Sequence, residues 1–570
     1  MRTVAGVSRL AQEKDPEILR KAVVLLESHN RELSKKIAEV LRELQRAYAE
    51  LAALKGESVD KQLRLEALEQ QLAKLTKQVF GPSSEQRPPD EQPSGAAPEG
   101  DDDNEKKKKK RSGHGPTPQP TLPRIDVDHE LDEADKTCTA CGGSLEEIAD
   151  QYEEHDEIDV VPMRFVIKRH RRKKYACRCG ACVETALGPD KLCAGGRYSV
   201  GFAIYVAISK YCDHLPLERQ VRMMARDGLV VTSQTLWDQI EQLTWVIESV
   251  MPRLLSFVLG HAVVGADETS WELMGKKSGQ SKSWWVWVLR TDDAVYYAIR
   301  GSRGASTAKE LLASFVGVLM CDGYDAYLSL AMAYPRVVLA HCWVHVRRAF
   351  LDIEKSFPTA CREILDLIGK LYYLEKDCPA GPEGDEARRS IRDQDSRKVV
   401  DAIVEWFFRT VPRCLPESGL HKALGYLVHM WTGLVLFLED PRIPLDNNGS
   451  ERAARGPVVG RKNHYGSRSL RGTEVAGTLY SLVESAKLNG LEPRLYLRVA
   501  VRAGLRHETV PMPHEVKAML ADGTLAPADY DDDTERIVNA ALAAASATAP
   551  SRSPPAPNGV DAFAAPTMNA

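Results

Sequence analysis

The sequence predicts a multidomain α+β protein: an N-terminal coiled coil, a small zinc-binding segment, a helical DNA-binding segment, and an α/β domain with a helical insertion. Three observations carry this. A heptad seam runs through residues 17–80, cysteines cluster between residues 138 and 182, and strand-like apolar runs interleave with helical periodicity from residue 262 onward. The 570 residues exceed what one core can hold. Hydrophobic residues at 43% and charged residues at 27% are ordinary for a soluble chain, and 76 basic against 80 acidic residues select no partner. A nucleic-acid surface therefore requires local segregation of charge. Twelve cysteines are too few for a disulfide scaffold. No apolar run reaches the ~20 residues of a membrane span, and the N-terminus lacks the apolar stretch of a signal peptide. The expectation is a cytoplasmic chain with reduced thiols and no membrane partner.

The seam is formed by Leu33, Ile37, Val40, Leu44, Ala47, Leu51 and Leu54, and Leu65, Leu68, Leu72, Leu75 and Val79 resume it after a stutter at Gly56-Glu57-Ser58. A long helix packed on its own protein would show the same pattern, but self-association through a coiled coil is the expectation for residues 17–80. Residues 81–123 are rich in Pro, Gly, Ser and Asp and read as a disordered linker. Its run Lys106–Arg111 serves equally as a solvated tail or as a non-specific phosphate contact.

Residues 124–195 read as the zinc-binding segment. Cys138-Thr-Ala-Cys141-Gly-Gly places two thiolates two residues apart before glycines that permit a tight turn, and Cys177-Arg-Cys179-Gly-Ala-Cys182 supplies a second pair. Cys179 and Cys182 repeat the first spacing, with Cys177 competing for the same ion. Seven of the eleven residues Arg164–Lys174 are Lys or Arg, a plausible phosphate-binding strand. Residues 196–250 contain two helical stretches divided by Asp227-Gly228, with Thr232 or Ser233 as cap. That is a helix-turn-helix layout with Gln234, Thr235 and Gln239 on the leading face, although helical hairpins without DNA are common.

The α/β domain is expected over residues 260–488, with the insertion at about 343–440, a C-terminal helical segment over 489–542 and a disordered Ala/Pro tail over 543–570. Asp267 ends the apolar run that starts at Ala262, and Asp322 ends the run that starts at Gly317. Carboxylates at the ends of neighbouring strands project into one crevice. Glu451, opening a helix after Asp446-Asn447-Asn448, supplies a third acid. Three such oxygen donors suit a pair of Mg²⁺ (or Mn²⁺) ions in phosphodiester chemistry. Glu268 and Asp325 are competitors, and turn or cap roles explain the same acids. Arg452, Arg455, Arg461, Lys462, His464, Arg468 and Arg471 crowd the third acid, as a site that holds DNA phosphates requires. His341 and His345 are expected on one helical face. A further zinc site is conceivable there, and a structural clasp formed with Cys342 is favoured.

Several stretches resemble the transposases of the bacterial insertion sequence sixty-six family: LTKQVFGPSSEQ, CTACGGSL with YACRCGAC, LPLERQ, GADETSW, CDGYDAY, HCWVHVRRAF, PLDNNGSERAARGPVVGRKNHYGS and YSLVESAKLNGLEPRLYL. The resemblance spans residues 17–505. It implies a zinc-binding segment, a DNA-binding helical segment and an RNase H-like catalytic domain with an Asp-Asp-Glu triad at Asp267, Asp322 and Glu451. Cys342 and His345 look like the Cys-x-x-His element that precedes the last acid in some related recombinases. Gly456-Pro457 departs from the family pattern, in which Pro directly follows ERA-x-Arg, and the tail beyond Gly504 diverges. The implied activity is cleavage at the terminal inverted repeats of a mobile element and strand transfer into target DNA. The implied partners are DNA, a second copy through the coiled coil, and accessory proteins of the same element, with a nucleoid location. A non-catalytic zinc-dependent dimeric DNA-binding protein is the alternative, and a nuclease of the same fold acting on other nucleic acid is a third possibility.

Overall fold

A computed structural model describes residues 144, 158, 164–176, 178, 182–274, 283–379 and 381–526. The coiled-coil seam, the linker, Cys138, Cys141, Cys177, Cys179 and the tail lie outside the described residues. The chain divides into two units at Arg164, and every element below belongs to the one that includes Phe165–Ala570. No described helix is long and apolar enough to cross a membrane.

The described chain begins with the exposed basic stretch that ends in a short hairpin. There β1 (Lys174–Ala176) pairs antiparallel with β2 (Val183–Thr185). Four helices follow: α1 (Val200–Tyr211), α2 (Leu217–Arg226), α3 (Ser233–Ile247) and α4 (Met251–Leu259). Of the two expected caps it is Thr232 that starts α3, its Oγ1 accepting the Thr235 amide at 3.2 Å. Gly228, at φ +84°, makes the left-handed turn that ends α2. Leu236, Ile240, Leu243 and Ile247 form the buried stripe by which α3 packs on α1.

The sheet contains β3 (Val263–Glu272), β4 (Ser283–Arg290), β5 (Val295–Arg300), β6 (Gly317–Cys321) and β7 (Val337–His341), with α5 (Ala305–Leu312) after β5 and α6 (Asp325–Ala333) after β6. The strand order is β5-β4-β3-β6-β7. The β3–β4 and β4–β5 pairs are antiparallel, and the β3–β6 and β6–β7 pairs are parallel. The insertion comprises α7 (Trp343–Leu351), α8 (Pro358–Glu375), α9 (Asp385–Ile391), α10 (Arg397–Thr410) and α11 (Gly419–Leu434). It builds its own core around Trp343, Phe350, Ile364, Ile368, Ile403 and Trp406. The chain then returns to the sheet as α12 (Asn448–His464) and α13 (Leu470–Leu488), and closes with α14 (Pro493–Leu505) and α15 (Pro513–Ala521).

The edge strand β5 is covered rather than open. Ser485 Oγ accepts the Val295 amide at 2.9 Å and Ser481 Oγ accepts the Tyr297 amide at 2.8 Å. Four residues of helix rise ~6 Å and two residues of strand ~6.6 Å, so serines four apart on α13 meet alternate amides of the strand. Gly477 continues the same face, where a Cβ would lie 2.9 Å from the Tyr297 carbonyl. Satisfying these amides inside the molecule removes an edge that would otherwise pair with other chains.

Candidate active site

The apolar run stops at Asp267 but the strand does not. β3 continues to Glu272, its ladder with β4 running on to the Glu272–Ser283 pair, with Glu268 buried on one face and Trp271 on the other. Asp267 is therefore a mid-strand residue, not a strand end as the sequence suggested. Asp322 does follow the last residue of its strand. The parallel register pairs Gly265 with Met320, so Asp267 and Asp322 stand at one level, each two residues further along.

Alternation assigns the two neighbouring acids of β3 to opposite faces. The Asp267 face is crossed by α12. Asn447 Nδ2 donates to the Ala266 carbonyl at 2.7 Å, Arg461 Nη1 donates to Thr269 Oγ1 at 3.0 Å, and the His464 ring meets Trp271 edge-on. The close approach needs Gly265, where a Cβ would collide with Ser450 Oγ and reach 3.0 Å from Asn447 Oδ1. Glu451, in the first turn of α12, is thereby delivered to Asp267. Burial pushes the Asp267 carboxyl up to about 7, with the charges of Glu268, Glu451 and Asp322 acting in the same direction.

On the other face Glu268 is buried, with its side chain 1% exposed. Its Oε2 accepts Arg303 Nε at 3.2 Å and Nη2 at 3.1 Å. Arg303 stacks on Tyr324, with its Cζ 3.9 Å from the ring centroid, and its Nη2 lies 3.9 Å from Asp322 Oδ2. Asp322 Oδ1 accepts the Tyr324 amide at 3.1 Å. Glu268 is thus committed to an arginine, and Asp325 is an exposed acid in the first turn of α6, where the helix dipole favours it.

Glu451 has other neighbours. His345 Nε2 is 3.7 Å from its Oε1, and Arg348 Nη2 is 4.0 Å from its Oε2. His341 ends β7 and helix α7 starts only at Trp343, so His341 and His345 do not share a helical face as expected. His341 packs instead against Gly433 of α11, and burial pushes it down to about 4. Cys342 Sγ accepts the Asn447 amide at 3.2 Å, and the Trp343 amide donates to the Leu445 carbonyl at 3.0 Å, which ties the start of α7 to the start of α12.

The basic residues divide into two groups. Arg452, Arg455 and Lys462 are exposed at helical spacing along α12, and Arg468 is exposed in the short connection to α13. The basic stretch from Arg461 to Arg471 is helix at both ends, with a connection only over residues 465–469. Arg461 lies in the last turn of α12 and is held by Thr269 and Ser270. Arg471 opens α13 and bonds Glu248 at 2.7 Å and Glu474 at 3.0 Å. In the helix pair, Gln234 is exposed and donates to Asp238 at 2.7 Å. Gln239 is not on the leading face. It is 9% exposed, because it falls inside the stripe of Leu236, Ile240 and Leu243. Cys182, just before β2, is exposed, with its Sγ 3.9 Å from Glu184 Oε1.

Sequence reasoning missed Arg303, Asn447 and Ser450. A Gly-Ser-Arg-Gly turn carries no signal for the arginine, Asn447 read only as part of the turn before Glu451, and nothing local singles out Ser450.

Residues 195–475 match the family described as Transposase IS66 family, and residues 135–180 match the zinc-finger binding domain of transposase IS66. The chain belongs to the IS66 transposase family. A third match, to Transposase C of IS166 homeodomain, covers residues 67–127. The main match of this IS66-family chain runs from just before α1 into α13 and contains Asp267, Asp322 and Glu451. The zinc-finger match includes Cys138, Cys141, Cys177 and Cys179 and stops short of Cys182. Among similar proteins of Sinorhizobium fredii, the uncharacterized protein y4jD is 32% identical over 393 residues, 66% of this chain and 76% of that protein. The uncharacterized protein y4qI is 31% identical over 371 residues, 62% of this chain and 68% of its own length.

Proposed function

We propose that this chain is an Asp-Asp-Glu transposase that cleaves DNA at the ends of a mobile element and joins the freed ends to target DNA. The observation that carries this is that Asp322 and Glu451 lie near enough to Asp267 for their charges to act on its carboxyl, where α12 crosses β3 beside the end of β6. The strand order β5-β4-β3-β6-β7, with a parallel and an antiparallel half, supports reading the sheet as RNase H-like.

The donor chemistry fits hard divalent cations. All three groups are carboxylates, Asp267 has no ion pair among the described residues, and Glu451 Oε1 is buried without a hydrogen-bond partner. When bound there, two Mg²⁺ or Mn²⁺ ions would neutralise charge on the attacking and leaving oxygens of the phosphodiester. Asp267, Asp322 and Glu451 would hold them. Glu268, through Arg303, would set the position of Asp322. Arg452, Arg455 and Lys462 would bind backbone phosphates next to the acids and orient the scissile bond, and Arg468 and Gln234 would extend the DNA contact. Water then breaks the P–O bond at the element end and frees a 3′-hydroxyl, which attacks the target phosphodiester.

The cysteines of residues 135–180 are proposed to bind one zinc ion, with Cys182 as an additional donor. The heptad seam is proposed to pair two copies so that both element ends are held together. The test is nicking of a duplex carrying the element's ends in Mg²⁺ or Mn²⁺. The wild-type chain should nick at the ends, and Asp267→Asn should bind the same DNA without nicking it. Equal nicking by the variant would overturn the assignment.

A further inference from the structure

The first turn of α7 and the first turn of α12 bring three different metal-binding donors together. The ligand atoms of Cys342, His345 and Glu451 all lie within 4.8 Å of one another. A tetrahedral ion with Zn–S ~2.3 Å and Zn–N or Zn–O ~2.1 Å spaces its ligands ~3.5 Å apart. His345 Nε2 and Glu451 Oε1 stand at 3.7 Å. Cys342 is the N-cap of α7 and His345 its third helical residue, positions that a helix start brings close together.

Three observations separate this cluster from an accidental grouping. Cys342 is 2% exposed and caps the N-terminus of the nine-residue helix α7. Its sulfur is fixed by the Asn447 amide, so it is already aimed at the start of α12. His345 Nδ1 and Glu451 Oε1 are both buried without hydrogen-bond partners, although buried polar atoms are normally satisfied. The histidine and glutamate side chains keep 24% and 26% exposure, which leaves one side open for a water ligand.

Thiolate and imidazole select a borderline-soft cation, whereas an all-carboxylate site selects Mg²⁺. We propose that Cys342, His345 and Glu451 form a site for a Zn²⁺-class ion, separate from the zinc-finger cysteines, that shares Glu451 with the three-carboxylate site. A soft ion held there draws Glu451 away from Asp267 and Asp322, so the two occupancies exclude one another and Zn²⁺ inhibits the Mg²⁺-dependent reaction. The inhibitory half of this rests on the role proposed for Glu451 in DNA cleavage, and the metal-binding half does not.

The probe is Co²⁺, titrated into the full-length chain after its zinc-finger cysteines have been loaded with Zn²⁺. Wild type should take up one more Co²⁺ than Cys342→Ser, with sulfur-to-cobalt charge-transfer absorption that the variant lacks. His345→Ala, a partly exposed position less prone to misfolding, should lose the same equivalent. Identical Co²⁺ stoichiometry and spectra in all three proteins would overturn the site and leave Cys342 as a packing contact to α12. In parallel, nicking in Mg²⁺ is measured with added Zn²⁺, each protein being compared with its own uninhibited rate. At least a tenfold rise in the Zn²⁺ needed for half-inhibition of Cys342→Ser is expected, and equal sensitivity would overturn the shared-glutamate inference. Loss of the Cys342-dependent cobalt signal with nicking intact refutes this site alone. The cobalt signal with no nicking in any protein refutes the catalytic role and leaves the metal site standing.

Discussion

The two faces of β3 treat neighbouring carboxylates in opposite ways. Glu268 is the more deeply buried, and burial raises its carboxyl too, but two hydrogen bonds from Arg303 offset part of that. Asp267 has no ion pair among the described residues, and burial, with the charges of the neighbouring acids, pushes its carboxyl up to about 7. It differs from Glu268 in lacking a cation that hydrogen-bonds it among the described residues. The cations of α12 divide in the same way. Arg461 is committed to Thr269 and Ser270, while Arg452, Arg455 and Lys462 have no ion pair among the described residues.

Removing the Arg303 guanidinium should break that contrast most severely for stability. Arg303→Ala leaves the buried Glu268 carboxylate uncompensated and should cost about 3 kcal/mol. Urea unfolding measures it, and Glu268→Gln in the Arg303→Ala background should recover most of the loss. Similar stabilities for the single and double variants would mean that the pair is not the counter-charge described.

On the opposite face the sign reverses. The Asp267 carboxyl titrates higher in the folded chain than the usual value of 3.8, so the fold binds its proton more tightly than the unfolded chain does. Stability from this group is fully present below pH ~4 and is lost as pH rises through about 7. Asp267→Asn should therefore stabilise the metal-free protein above pH 7 by about 2 kcal/mol, a figure reduced for partial exposure. The gain should vanish toward pH 4, and melting curves across that range measure it. Mg²⁺ should raise the melting temperature of wild type more than that of the variant.

Much of this arrangement was legible in the sequence, for physical reasons. Apolar runs that stop at Asp267 and Asp322 and an Asp-Asn-Asn turn before Glu451 made these acids candidates, because strands and caps are local. The division of strands from inserted helices was legible in the same way. The face on which each acid lies was not, because it depends on β3 continuing past Asp267 through a polar stretch that hides its alternation. Gln239 misled for a related reason: an amide inside a buried stripe reads as an exposed one unless the stripe is counted through it. Arg461 looked like a free basic residue because its partner Thr269 on β3 is 192 positions away in sequence, and Arg471 did because, besides Glu474 in its own helix, it meets Glu241 and Glu248 from more than 200 positions back.

The free and committed cations of α12 can be told apart by salt. Arg452→Gln, Arg455→Gln and Lys462→Gln should each weaken DNA binding and lower the slope of log affinity against log salt by about 1. Arg461→Gln should leave that slope unchanged and lower the melting temperature instead. Fluorescence anisotropy over a salt series measures both outcomes. A slope change for Arg461 equal to the others would dissolve the distinction.

The smallest effect concerns the sheet edge that supports both faces. Ser481→Ala and Ser485→Ala each leave one amide of β5 without its acceptor, at a cost of about 1 kcal/mol. The serines are neighbours on one helix face and share one strand, so the double variant should cost more than the sum if the strand frays as a unit. It should also aggregate faster, since the uncovered edge of β5 becomes available to other chains. Hydrogen exchange at the Val295 and Tyr297 amides is the direct readout. Protection that survives the double substitution would mean that packing against Gly477 and the rest of α13, rather than the two hydroxyls, closes the edge.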